Sequence, residues 1–181
     1  MLHGGHRATD LLDLHTLSRD EAELATFGEV MEHLGRELSF EVRSPSWTPV
    51  ARRWVLRGAD ETCVVTLRLG QVELEAEKSI IDGLRVETKR ELVAWLLSRL
   101  GGDQSLPDLV DLGMLLKGAS LSAAIADAWT RTADAQPAML AWALGRVVVD
   151  PMLLAPEIDV AALEQLRVSL HLEAERQAAD A

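Results

Sequence analysis

The stretch Arg53–Leu69, RWVLRGADETCVVTLRL, decides the fold. Trp54 and Leu56 alternate with Arg53, Val55 and Arg57, and Cys63, Val65, Leu67 and Leu69 alternate with Thr62, Val64, Thr66 and Arg68. A period of two puts one set on each face of an extended chain, so both halves read as strands with one apolar and one polar face. Gly58, Ala59 and Asp60 between them make a tight connection, which sets the two strands antiparallel.

The same period extends outward. Phe40 and Val42 alternate with Ser39, Glu41 and Arg43, and the turn-rich SPSWTP at 44–49 leads back into the quoted stretch. Beyond the Gly70-Gln71 turn, Val72, Leu74 and Ala76 alternate with Glu73, Glu75 and Glu77. Four short strands with tight connections predict an antiparallel meander.

Helical signals flank it. In SRDEAELATFGEVMEHLGREL, Ser18 and Glu21 form an S-x-x-E capping box. Leu24, Phe27, Met31 and Leu34 make one apolar stripe, and Gly35 reads as the stop. After the strands, Thr88 and Glu91 make a second capping box before Leu92, Val93, Leu96, Leu97 and Leu100. From about residue 103 every signal is helical: Pro107, Ser120, Pro137 and Asp159 each open a run of apolar residues at helical spacing. The fold class is therefore α+β: helix, four-stranded antiparallel meander and covering helix, followed by an all-helical C-terminal region. The expected division is 1–17, a flexible or docking segment in which ATDLLDLH starts a short helix; 18–102, the α+β domain; and 103–181, the helical region.

Composition bounds the function classes. The chain has 181 residues, 48% hydrophobic, with net charge −11. That supports a packed core and argues against disorder. The acidity sits at the ends: residues 1–37 hold three Arg against eight acids and 101–181 five bases against twelve, while 38–79 balance at six each. Such a surface repels nucleic-acid and anionic-membrane phosphates. One cysteine, Cys63, excludes an intrachain disulfide and a multi-Cys zinc site. In phase with Val65 and Leu67, it reads as a small buried hydrophobe. No signal-peptide pattern opens the chain and no run of 18 apolar residues occurs, so a cytoplasmic protein is expected.

Residues with chemical potential are few. His3 and His6 flank a Gly-Gly pair, and His15 follows Asp10 and Asp13. His3, His6 and His15 are the metal candidates, but the Gly-Gly pair gives no rigid frame and zinc wants three or four well-held ligands. No cofactor is expected. Arg43, Arg53, Arg57 and Arg68 share the polar sheet face, and Trp47 lies between two prolines, so these five are the candidate partner contacts. The balanced charge of 38–79 favours ion pairing of these arginines with the Glu strand over a nucleic-acid platform. Trp54, Trp95, Trp129 and Trp142 read as core or interface anchors. The chain has no phosphate-binding glycine loop and no nucleophile elbow, and no catalytic residue is assigned.

In being small and acidic with a helix, a strand meander and a helix, residues 18–100 resemble type III secretion chaperones, in element order alone. The expected function is a non-enzymatic protein-binding or adaptor protein, chaperone-like or an assembly factor, whose partner is another protein or a second copy. The alternatives are a metal-dependent enzyme using the N-terminal His/Asp cluster, and nucleic-acid contact through the Arg-bearing face.

Overall fold

The structure is a computed structural model that describes residues 11–16, 20–48, 51–59, 61–69, 73–75, 79–81, 84–103, 105–132 and 135–180. The chain forms two compact units, one comprising Arg7–Val72, the other Glu73–Ala181 together with Met1–His6. The α+β class, the antiparallel sheet and the helical C-terminal region are as expected from sequence.

In the first unit, β1 (Leu11–Thr16) precedes α1 (Glu21–Glu37), followed by β2 (Glu41–Thr48), β3 (Ala51–Arg57) and β4 (Thr62–Leu69). β2, β3 and β4 form the expected antiparallel meander. The fourth strand is β1, which pairs parallel with β4 to give the order β1-β4-β3-β2. This corrects two expectations. Residues 11–16 are strand, not a docking helix. And the described part of the presumed last strand, 73–75, is irregular. There the Leu74 amide donates 3.1 Å to the Glu91 carboxylate instead of joining a ladder.

The alternation sorts the faces as read. Trp54, Leu56, Val65 and Leu67 are buried with Met31 of α1, and Leu14, Phe27, Phe40, Val42 and Cys63 pack against them. The Phe27 and Trp54 rings lie 5.2 Å apart, tilted at 51°. Leu34 belongs to the expected stripe yet stays partly exposed. Ser18 lies outside the described residues. Gly35 does not end α1, which runs to Glu37. Its role is close approach: a Cβ there would run into Val42 and stand 3.1 Å from the Phe40 carbonyl oxygen. The helix ends in a Schellman motif instead. The amides of Phe40 and Ser39 donate to the carbonyls of Gly35 and Arg36, and Ser39 takes the left-handed conformation at φ 59°.

The second unit opens with a hairpin, β5 (Ser79–Ile81) and β6 (Leu84–Val86). Then follow α2 (Lys89–Asp103), α3 (Leu106–Leu115), α4 (Leu121–Arg131), α5 (Pro137–Leu144), a 3-10 turn (Pro151–Leu153) and α6 (Val160–Ala179). Ser120 and Asp159 open their helices as expected, and Ser105, which the sequence reading did not single out, caps the helix that holds Pro107; each accepts the amide three residues on. Leu97, Leu100, Leu109, Leu112, Ile125, Leu140, Leu144 and Leu170 are fully buried in one core. Each such side chain contributes roughly 2 kcal/mol of burial. α2 spends its apolar stripe on this helical core. Of the four tryptophans read as core or interface anchors, Trp129 and Trp142 are not core: both are about half exposed, the latter with the Arg146 guanidinium 4.9 Å above its ring. Among the described residues no helix is long and apolar enough to cross a membrane.

Candidate functional site

The polar face of the mixed sheet is built by register. β4 is flanked by β1 on one side and β3 on the other, so each residue of β4 has a partner on both. Asp13 stands opposite Thr66, and Thr66 opposite Arg53, which pairs in turn with Ser46. One row along, His15 stands opposite Arg68 and Arg68 opposite Ala51. The next row on the other side is Leu11, Val64, Val55 and Arg43. Residues in register across adjacent strands are about 5 Å apart at Cα. The backbone of the acidic strand thus runs two ladder spacings from Arg53.

Parallel pairing explains how this arises. A parallel neighbour needs a crossover of a dozen residues or more. Here the crossover is α1, β2 and β3, which carries the chain from the end of β1 to β4. An acid near the start of the first unit, Asp13, is thereby brought into one row with Arg53, forty residues later.

The five expected contact residues separate in the structure. Arg53 and Arg57 are exposed, and neither makes an ion pair with a described residue. Arg43 is spoken for, its guanidinium 2.7 Å from Glu41 two residues away in the same strand. Arg57 stands in register with Glu41 and Thr62. Arg68 is half-buried at the centre of the sheet. Of the acids at 73, 75 and 77 with which these arginines were expected to pair, Glu75 lies 3.8 Å from Arg90, and Glu77 lies outside the described residues. Trp47 was read as a loop residue, but it is in β2 opposite Arg52. Pro45 has no amide to give, and the edge strand takes it up as a register shift between Arg43 and Ser46.

Of the three metal candidates, His3 and His6 lie outside the described residues, and His15 is in β1. Among the described residues no group of three or more His, Cys, Asp or Glu could hold a metal ion. Asp13 was noticed in sequence only as an accessory to those histidines. A signal was present, since Leu12 and Leu14 alternate with Asp13 and His15 over four residues.

No family model matches the sequence, and no curated protein matches it. Two solved structures do match in fold. JHP933 from Helicobacter pylori has 19% sequence identity and a TM-score of 0.53, covering 98% of this chain and 82% of that one. A "putative nucleotidyltransferase" from H. pylori has 18% identity and a TM-score of 0.52, covering 98% and 81%. At this identity the likeness is one of fold, and it spans both units. It overturns the expectation of a non-enzymatic adaptor or chaperone-like factor. That expectation rested on the order helix, strands, helix, which many folds share. β1, which pairs parallel with β4, lies in the segment that was expected to start a docking helix.

Proposed function

We propose that the chain is a nucleotidyltransferase that takes a nucleoside triphosphate over the polar face of its mixed sheet. The observation that carries this reading is the fold likeness over 98% of the chain to a protein described as a putative nucleotidyltransferase. The residues along the sheet support it.

Nucleotidyl transfer forms a bond from an acceptor oxygen to the α-phosphorus and breaks the bond to pyrophosphate, which leaves. Charge builds on the phosphate oxygens, so catalysis is largely positioning and neutralisation. Enzymes of this chemistry commonly use divalent ions held by carboxylates. The strands of the sheet contain two acids, Asp13 and Glu41. Glu41 is taken by Arg43. The remaining donor, Asp13, suits one Mg²⁺ shared with the substrate phosphates, a mode that needs one or two protein carboxylates. It does not suit a clamp of two protein-held ions. Asp13 is thus the residue that would hold Mg²⁺, and the ion would supply neutralisation of phosphate charge. Arg53, exposed and in the same row, orients and neutralises the phosphate chain as a planar two-toothed donor. Thr66 between them offers a hydroxyl.

The test is binding and turnover with each of the four ribonucleoside triphosphates and Mg²⁺, read by calorimetry and by pyrophosphate release. Mg²⁺-dependent binding of at least one triphosphate, lost in Asp13→Asn, is expected. The absence of triphosphate binding at millimolar concentration would sink the reading.

A further inference from the structure

The helical unit has a cleft of about 500 Å³ between the first turns of α2 and α4 and the connection from α3. Its floor is apolar and small-grained: Val93, Leu115, Ala119, Ala123 and Ala124. Its rim carries Glu75, Lys89, Arg90, Lys117 and Asp127.

The acids of the rim already have a cation. Arg90 donates from Nε and from one terminal nitrogen to the two carboxylate oxygens of Asp127, both at 2.6 Å. It also lies 3.8 Å from Glu75. Lys89 and Lys117 are different. Both are exposed, and among the described residues neither makes an ion pair. The chain has only three lysines on a net charge of −11, and two of them stand over this one floor. A cleft with an apolar floor and uncompensated ammonium groups at its edge selects for a ligand with two parts. One part is a compact apolar body that covers the alanines and Val93. The other is an anionic head in reach of two point charges, for which a phosphate is well matched. The first-turn amides of α4 add partial positive charge on the same side.

We propose that this cleft binds a small organic phosphate monoester, its phosphate at Lys89 and Lys117 and its apolar body over Val93, Ala119 and Ala123. Every residue of the cleft belongs to the helical unit, so it shares no residue with the sheet face described above.

The test uses the full chain and three probes: phenyl phosphate, inorganic phosphate and phenol, each titrated by calorimetry at low salt. Phenyl phosphate is expected to bind saturably, and more tightly than either fragment. Lys89→Ala with Lys117→Ala should weaken it roughly tenfold, and Lys89→Arg with Lys117→Arg should restore most of that. All four substitutions are at exposed positions, so folding is expected to be retained, with an unchanged thermal midpoint as the check. Ala123→Leu, also at an exposed position, fills the floor. It should weaken phenyl phosphate while leaving inorganic phosphate unchanged. No saturable binding of phenyl phosphate up to ~10 mM, or binding that survives the double alanine variant unchanged, overturns the proposal.

Discussion

Glu91 and Thr88 cap each other across the first turn of α2: the Thr88 amide donates 3.3 Å to the Glu91 carboxylate, and the Glu91 amide donates 3.3 Å to the Thr88 hydroxyl. The second carboxylate oxygen accepts the Leu74 amide at 3.1 Å. Glu91 is completely buried. One side chain therefore serves the helix end and the segment entering the unit. Glu91→Ala leaves two donors without their acceptor, one of them on a half-buried backbone, and is expected to cost about 2–3 kcal/mol. Glu91→Gln keeps the geometry but not the charge and should cost less. Urea unfolding followed by far-ultraviolet circular dichroism checks both. A loss below about 0.5 kcal/mol for the alanine would show the cap to be incidental.

Ser39 ends α1 in a left-handed conformation that a β-carbon resists. Glycine adopts it without that cost. Ser39→Gly is expected to stabilise the chain by about 0.5–1 kcal/mol, seen as a higher urea midpoint at unchanged slope. A destabilised variant would mean that the serine side chain contributes more than its backbone strain takes away.

These two sites show what the sequence could and could not disclose. The Thr88–Glu91 box is a local rule, since its residues are three apart and the helix that follows has its own stripe. The strands β3 and β4 were equally legible, because an alternation carried by Trp54, Leu56, Val65 and Leu67 needs only neighbours. The partner of β1 was not. Leu11, Leu12 and Leu14 satisfy a helical stripe as readily as a strand, and the pairing that decides between them lies with Val64–Leu69. The 73–75 segment failed for the opposite reason. Its alternation is real, but Glu91 claims the Leu74 amide that a ladder would have used. The exposed Trp142 lies at the rim of an α5 that is apolar nearly all round, PAMLAWAL, so its pattern names no inner face. Because Asp13 lies on β1, the candidate site was hidden with that strand.

Arg176 bonds the Glu173 carboxylate at 2.7 and 3.0 Å, and with a bond from Gln177 it pulls the Glu173 carboxyl down to about 2. A carboxylate whose folded value is depressed adds stability above its unfolded value near 4.3, and that stability is lost as pH falls toward 2. The window is therefore between about pH 4.3 and pH 2. The pair is solvent-screened on the last turns of α6, so its direct signature is the titration itself. Carboxyl-carbon NMR should place the Glu173 midpoint near 2 in the native chain and move it up in Arg176→Ala. A midpoint already in the ordinary carboxylate range in the native chain would refute the interaction.

Asp13 and Arg53 sit on either side of Thr66 in one row of the sheet, and under the proposed function the acid and the base would have different tasks on one triphosphate. Their substitutions should therefore fail differently. Asp13→Asn keeps size and strand character but removes the charge that would hold Mg²⁺. It is expected to abolish the Mg²⁺ dependence of triphosphate binding and to lower any transfer rate by roughly a hundredfold. Arg53→Lys keeps the charge but loses the two-toothed geometry. It should raise the triphosphate KM several-fold with a smaller effect on kcat, while the Mg²⁺ dependence persists. Both positions are in strands that tolerate polar residues, so circular dichroism should be unchanged. If Asp13→Asn left the Mg²⁺ dependence intact, the ion would have to be held elsewhere, and the assignment of this row as the phosphate site would fall. If Arg53→Lys behaved as the native chain does, the phosphates would lie away from β3.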